Sequence, residues 1–266
     1  MNNYYNNKVI WITGASSGIG AAIANYLLRN TNAKLVLSAR NEVKLKQIAQ
    51  QSQNPNRTLI LPFDLGQSFN APELANKIIQ HFGKIDILIN NGGISQRTKV
   101  LEISEELERQ LFEINYFAHI KLTKAVLPYM LQQKYGHIVV TSSIAGKFGF
   151  YLRSTYSAAK HALHGYFESL RLEYENEGII VSIVCPGKIK TNVSINALSK
   201  EGISHGKMDE SHQNAMSAEV AAIKILKAIA NKREEVLVGG KELLMVYLKR
   251  FCLPLFNWLI RKQSPY

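Results

Sequence analysis

Short apolar runs alternate with stretches of amphipathic, helix-like spacing along most of the chain. The runs at 8–13 (KVIWIT), 35–39, 58–62, 85–90, 137–142, 179–185 and 235–239 read as strands. They are apolar throughout rather than alternating. That pattern means burial on both faces, as in a parallel sheet covered by helices. Helical spacing covers about 18–29, 42–51, 72–82, 104–132, 155–177 and 218–230. Strand–helix alternation of this length predicts an α/β fold: a doubly wound, seven-stranded parallel sheet with helices on both faces, in the Rossmann manner, as a single domain. Its crossovers should be right-handed.

Two segments break the rhythm. Residues 191–217 form a long connection rich in Ser, Asn, Lys, Gly and His, of the length that functional lids have. After the last strand, residues 241–262 carry a further apolar stretch interrupted by Pro254.

Composition narrows the picture only a little. A chain of 266 residues suits one large α/β domain, and 46% apolar with 20% charged residues is ordinary for a globular protein. The formal charge of +12 can attract phosphate, nucleic acid or anionic lipid, but the cations are scattered, as on a solvated basic surface. Zinc-finger spacing and RNP-like motifs are absent from the sequence, so nucleic acid is not an expected partner. Cys185 and Cys252 make neither a metal pair nor a disulfide framework. The expectation is a reducing, cytoplasmic setting and no metal. The first apolar run leads straight into a glycine motif and reads as a core strand rather than a signal peptide. No uncharged apolar stretch approaches the roughly 20 residues of a spanning helix.

TGASSGIG (13–20) joins the first strand to the first helix. Gly14, Gly18 and Gly20 allow a sharp turn and a close approach to a pyrophosphate, with Ser16, Ser17 and Ile19 between them. The free N–H groups and positive end of the following helix favour an anion there. At the end of the second strand, where an acidic residue would hold a ribose 2′-hydroxyl, the chain has Ser38-Ala39-Arg40. Arg40 can make charge-assisted bonds to a 2′-phosphate, which points to NADP(H); the plain alternative is a surface arginine. Asp64, followed by Leu65 after the third strand, either accepts from an adenine amine or caps a turn. Asn90-Asn91-Gly92-Gly93 ends the fourth strand at the carboxyl edge, where ligands bind in open α/β sheets.

Tyr156 and Lys160 open the fifth helix at i and i+4, on one face. A nearby ammonium lowers a phenol's pKa and makes it a usable acid/base near neutrality. Spacing alone is weak, since Tyr4 and Lys8 match it too. Ser143 ends the fifth strand and is placed to hold a carbonyl oxygen or to serve as a turn serine, the role given to Ser142.

Taken together, TGASSGIG, NNGG, SS-x-A-G, YSAAK and Pro186-Gly187 occur in the order and spacing of the short-chain dehydrogenase/reductase family, and the chain resembles that family over residues 8–240. The resemblance implies that Tyr156 is the acid/base and that Lys160 tunes it and holds the nicotinamide ribose. It makes Ser143 the carbonyl-orienting serine and Asn115 the support of a proton relay. Asn90 and Thr191 match cofactor-contacting positions, and Ile189 would lie beside the carboxamide. Gly92 departs from the family's usual alanine and should loosen its loop slightly.

The resulting expectation is a dinucleotide-binding catalytic domain over 1–240, with a lid at 191–217, and an apolar helical extension over 241–266. It acts on an alcohol or ketone, with Phe148, Phe150, Tyr151 and Leu152 suggesting a sizeable lipid- or steroid-like substrate of the hydroxysteroid-dehydrogenase-like branch. The alternatives are a 3-oxoacyl ketoester reductase and an NADP(H)-binding sensor without turnover; sugar epimerases and dehydratases have longer chains and different glycine spacing. The resemblance also implies a homodimer or homotetramer. In the extension, Leu244, Leu248, Phe251, Leu255 and Leu259 recur at helical spacing beside Lys249, Arg250, Arg261 and Lys262. This stretch either covers the pocket or a subunit interface, or makes a peripheral membrane contact.

Overall fold

The computed structural model describes residues 1–191, 197–198 and 215–263. In chain order the elements are α1 (Asn2–Tyr5), β1 (Val9–Thr13), α2 (Gly18–Asn30), β2 (Lys34–Ser38), α3 (Glu42–Ala49), β3 (Thr58–Ile60), α4 (Ala71–Phe82), β4 (Ile87–Asn90) and α5 (Glu105–Phe112). They continue as α6 (Ala118–Gln132), β5 (Gly136–Thr141), α7 (Ser154–Tyr174), β6 (Ile179–Pro186), β7 (Ile189–Lys190), β8 (Met216–Ser217), α8 (Ala218–Ala230), β9 (Glu235–Val238), α9 (Leu244–Phe251) and α10 (Leu253–Arg261).

Seven strands form one sheet in the order β3-β2-β1-β4-β5-β6-β9, and every neighbouring pair is parallel. The expected doubly wound sheet is therefore present, and its order reverses between β1 and β4. Successive strand residues explain why the runs carry no alternation. Ile10 and Ile12 enter a core with α2, α3 and α8, whereas Val9 and Trp11 enter one with α4, α6 and α7. Both faces of each strand are buried, so both must be apolar.

Boundaries follow local chemistry. Asn41, Asn70, Ser104 and Ser217 cap α3, α4, α5 and α8 by accepting backbone N–H bonds. The long helix expected at 104–132 is divided by a π-helical segment, Glu113–Phe117. Asn115 lies in it, and its Nδ2 donates to the Leu111 carbonyl one turn back. A π-segment at a prospective site is a recurrent device for re-aiming a side chain.

The C-terminal stretch is not one helix. It breaks at Cys252, where Pro254 stands in the first turn of α10. Met245 and Phe256 fold back on Ile144 and Phe148 as a third, smaller core. Most of the expected lid lies outside the described residues; at its two ends β7, just before it, pairs in parallel with β8, and Gln96 bridges to Leu198 within it.

Candidate active site

β1 delivers Thr13 to the carboxyl edge, and the chain must turn within four residues to start α2. Gly14 and Gly18 take φ of 65° and 54°, in the left-handed region where a side chain is strained. Gly20 serves packing: a β-carbon there would lie 2.4 Å from the Gly14 oxygen. The α2 N-terminus, at Ser17, carries no side-chain cap, unlike α3, α4, α5 and α8. Its first N–H groups remain available to an anion beside Ser16, Ser17 and Ile19, which line the cavity in front of it.

That cavity, of about 1130 Å³, runs along the carboxyl edge of the sheet and gathers most of the residues singled out in the sequence. Gly14, Ser16, Ser17, Gly18, Ile19, Arg40, Asp64, Leu65, Gly92, Asn115, Ser143, Tyr156, Lys160, Pro186, Gly187, Ile189 and Thr191 all border it. Two do not. Gly20 sits behind the loop, and Asn90 is fully buried with its amide donating to Thr123 Oγ1 at 3.0 Å.

The loop after β4 is tied down rather than loosened. Thr13 Oγ1 accepts N–H bonds from Asn91 and Gly92 at 3.0 and 3.1 Å, and Asn91 Nδ2 donates to the Thr13 carbonyl. A β-carbon on Gly92 would come within 2.4 Å of Leu65 Cδ1, so the departure from alanine accommodates Leu65.

At the β2 end, the Arg40 side chain is 72% exposed and stands 3.7 Å from Asp64 Oδ2. Asp64 also caps its own turn by accepting the Gly66 N–H at 2.9 Å. Lys44, which no motif marks, borders the cavity as well. Its place in the first turn of α3, just past the carboxyl end of β2, was the available signal. Arg40 and Lys44, together with Asn41 and Ser38, border this end of the cavity, and Asp64 is engaged by Arg40.

At the other end, buried Gln96 holds the start of α7. Its Oε1 accepts the N–H groups of Thr155 and Tyr156, both at 3.1 Å, and its Nε2 donates to Ser154 Oγ. No motif marks Gln96 in the sequence. Asn115 accepts the Ile94 N–H at 3.2 Å and returns its Nδ2 to the Ile94 carbonyl. Ser143 Oγ accepts the Ala145 N–H at 3.1 Å and donates to the Pro186 carbonyl at 3.4 Å, so its turn role is present beside its place on the cavity. Ser142 turns inward to the Lys160 carbonyl and His164.

Burial governs the titrating groups. It pushes the Tyr156 phenol up, opposed by Arg153 and by the Ser143 hydroxyl. The expected downward pull from Lys160 is not among these influences: its Nζ lies 5.8 Å from the phenol ring centroid and donates to the Thr141 carbonyl at 2.8 Å. Burial lowers Lys160 itself to about 7. The Cys185 thiol is pushed up to about 12 by burial, which keeps it inert at neutral pH.

Phe150, Tyr151 and Leu152 border the cavity, but Phe148 does not; its ring packs against Phe256 at 5.1 Å, because the C-terminal hairpin covers that side. Arg97, Arg153, Lys188 and Gln263 also border the cavity and make the lining more polar than the expectation. His164, Glu168 and Glu235 form a cluster of metal-ligand type, but the Lys147 ammonium already lies between Glu235 and His164 Nδ1.

Comparison with known proteins gives a consistent result. Residues 8–202 match the family model for the short chain dehydrogenase. The chain is 37% identical over 268 residues to "Dehydrogenase/reductase SDR family protein 7-like" of Drosophila melanogaster, covering 98% of this chain and 82% of that one. It is 38% identical over 272 residues to "Dehydrogenase/reductase SDR family member 7B" of Bos taurus, covering 99% and 83%. Among solved structures, a short-chain dehydrogenase from Streptomyces avermitilis superposes with a TM-score of 0.79 at 28% identity, covering 97% of this chain and 98% of the other.

Proposed function

The chain belongs to the short-chain dehydrogenase/reductase family, and from that premise we propose an NADP(H)-dependent oxidoreductase that interconverts an alcohol and a ketone on a sizeable, lipid- or steroid-like molecule. The oxidoreductase class, acting on CH–OH and C=O groups with a nicotinamide cofactor, comes with the family. The single observation behind the rest is convergence: Tyr156, Ser143, Lys160 and Asn115 border the same cavity as the uncapped start of α2 and Arg40.

Gly14, Ser16, Ser17, Gly18 and Ile19 would receive the pyrophosphate, Arg40 with Lys44 the 2′-phosphate, and Asp64 and Leu65 the adenine side. Gly92, Pro186, Gly187, Ile189 and Thr191 would flank the nicotinamide half, with Gly20 and Asn90 supporting the loops from behind. When bound, the nicotinamide supplies or takes up a hydride. Tyr156 holds the proton at its Oη. Its burial keeps the phenol protonated at neutral pH, which suits it as the acid in reduction. Ser143 Oγ donates to the substrate oxygen and orients it. The Lys160 amine, on the cavity border and lowered by burial to about 7, would hold the nicotinamide ribose and support proton delivery. Asn115, braced against the Ile94 backbone on the cavity border, would support proton delivery as well.

Phe150, Tyr151, Leu152 and Met245 supply apolar lining for the substrate. Phe117 and Leu172, exposed on the π-segment and on α7, are consistent with burial in a homodimer or homotetramer. Residues 241–263 cover one side of the cavity through Met245 and Gln263, and their exposed outer face is read as a peripheral membrane contact.

The test is a fluorescence titration of NADPH and NADH, followed by NADPH oxidation over a panel of long-chain ketones, steroid ketones and 3-oxoacyl thioesters. NADPH should bind about ten-fold or more tighter than NADH, and Arg40→Asp should reverse the order. Tighter NADH binding to the wild type removes the NADP assignment. Turnover of thioesters alone moves the substrate class, and binding without any turnover leaves a sensor.

A further inference from the structure

We infer that the C-terminal hairpin, α9 and α10, docks on an anionic lipid surface with its apolar corner at the headgroup–acyl boundary. The inference rests on the reading of residues 241–263 as a membrane contact and specifies the lipid and the inserted residues.

The hairpin has two faces. Its inner face is anchored: Met245 and Phe256 are buried against Ile144 and Phe148. The Glu242 carboxylate accepts the N–H groups of Lys188 and Gly240 at 2.8 and 3.0 Å. The outer face is apolar and open. Five consecutive residues at the corner between the helices, Phe251-Cys252-Leu253-Pro254-Leu255, are exposed, and none carries charge. Phe251 is 76% exposed, Leu253 48%, Leu255 41% and Trp258 54%. A contiguous apolar corner of this kind marks an interaction surface rather than scatter.

Charge selects the occupant. Lys241, Lys249, Arg250, Arg261 and Lys262 are all exposed on this segment, while its single acid, Glu242, is turned inward. An isologous contact with a second copy would set this basic surface against itself. An anionic bilayer satisfies both features, taking the apolar corner below the headgroups and the cations among them. Trp258, with the Lys262 ammonium 3.5 Å over its ring, is a side chain of the kind that settles at that depth. Met245 and Gln263 also border the cavity, so the docked element is one wall of the proposed site.

The experiment is co-sedimentation of the full chain with vesicles of phosphatidylcholine alone and of phosphatidylcholine with phosphatidylserine. Binding should be about ten-fold or more stronger to the phosphatidylserine vesicles and should fall steeply with salt. The double variant Phe251→Ser with Trp258→Ser should lose binding, and Lys249→Glu with Arg250→Glu should lose the anionic preference. Both should keep the melting temperature and NADPH affinity of the wild type, which separates lost docking from lost folding. Equal binding to both vesicles overturns the lipid selectivity and leaves a membrane contact. Binding to neither removes the contact as well. A dimer in sedimentation equilibrium that the serine substitutions disperse makes this face a contact between copies.

Discussion

Tyrosine and lysine four residues apart occur at both edges of the sheet, and the two pairs have opposite surroundings. At the amino edge, Tyr4 shares hydrogen bonds with Tyr135 Oη at 3.0 Å and His137 Nδ1 at 2.8 Å. His137 continues to Ser182 Oγ, Lys8 lies over the Tyr135 ring, and Asp86 takes the Val9 N–H. These groups satisfy one another. At the carboxyl edge, Tyr156 and Lys160 border a cavity together with Ser143 and Asn115. The comparison teaches that i, i+4 spacing says nothing about chemistry by itself. What distinguishes the pairs is the edge of the sheet on which they stand, and whether their polar atoms are already used.

The largest test of that contrast is a pair of matched substitutions. Tyr156→Phe should lower turnover by about 10³-fold while NADPH affinity stays near the wild-type value. Tyr4→Phe should leave turnover unchanged and cost about 2 kcal/mol of stability from its two lost hydrogen bonds. Steady-state kinetics and urea unfolding read the two. A comparable loss of turnover from both variants would erase the distinction.

Buried groups at both edges make stability answer to pH. Burial lowers His137, at the amino edge, to about 3, and His119, on α6 near Lys160, likewise to about 3. Unfolded histidine takes its proton near 6.5, so between about 3 and 6.5 the unfolded chain holds more protons. Stability must then fall as pH drops below 6.5, by up to about 1.4 kcal/mol per histidine per pH unit. Lys160 acts on the other side: it titrates at about 7 in the fold against 10.5 as its ordinary value. Between those values the unfolded chain again holds the extra proton, so stability rises with pH there. Urea unfolding of the cofactor-free protein from pH 4.5 to 9.5 should show both slopes. His137→Gln should reduce only the acid slope, and Lys160→Met only the alkaline rise.

Much of this was legible in the sequence because burial writes itself into composition. The seven strands are apolar on both faces since each face meets helices, and the glycine loop is visible because Gly14 and Gly18 adopt backbone that other residues avoid. The parts that were not legible depend on contacts distant in sequence. Gln96 carries no motif, yet it holds the first turn of α7 across about sixty residues. Phe148 reads as a pocket residue until Phe256 is brought against it. The π-segment at Asn115 leaves no mark in a helical pattern, because it shifts the frame without changing the residue types. The break at Cys252 was signalled by Pro254, but the spacing of leucines across it suggested one continuous face.

The smallest effect probes how much slack each edge has. Gly178, before β6 at the amino edge, has φ 82°, and a β-carbon there would meet the Lys134 carbonyl oxygen at 2.3 Å. Backbone must move to admit it, so Gly178→Ala should cost at least about 2 kcal/mol. Gly92, at the carboxyl edge, takes no positive φ, and its added methyl would press on the far end of Leu65, at 2.4 Å, with backbone no nearer than 3.4 Å. Leu65 borders the cavity and can swing into it. Gly92→Ala should therefore cost less than about 1 kcal/mol in urea unfolding. It should show instead as a modest loss of NADPH affinity, because the displaced leucine takes up room on the adenine side. A stability loss as large as that of Gly178→Ala would mean that the carboxyl edge is packed as tightly as the amino edge, and that its cavity is not free to yield.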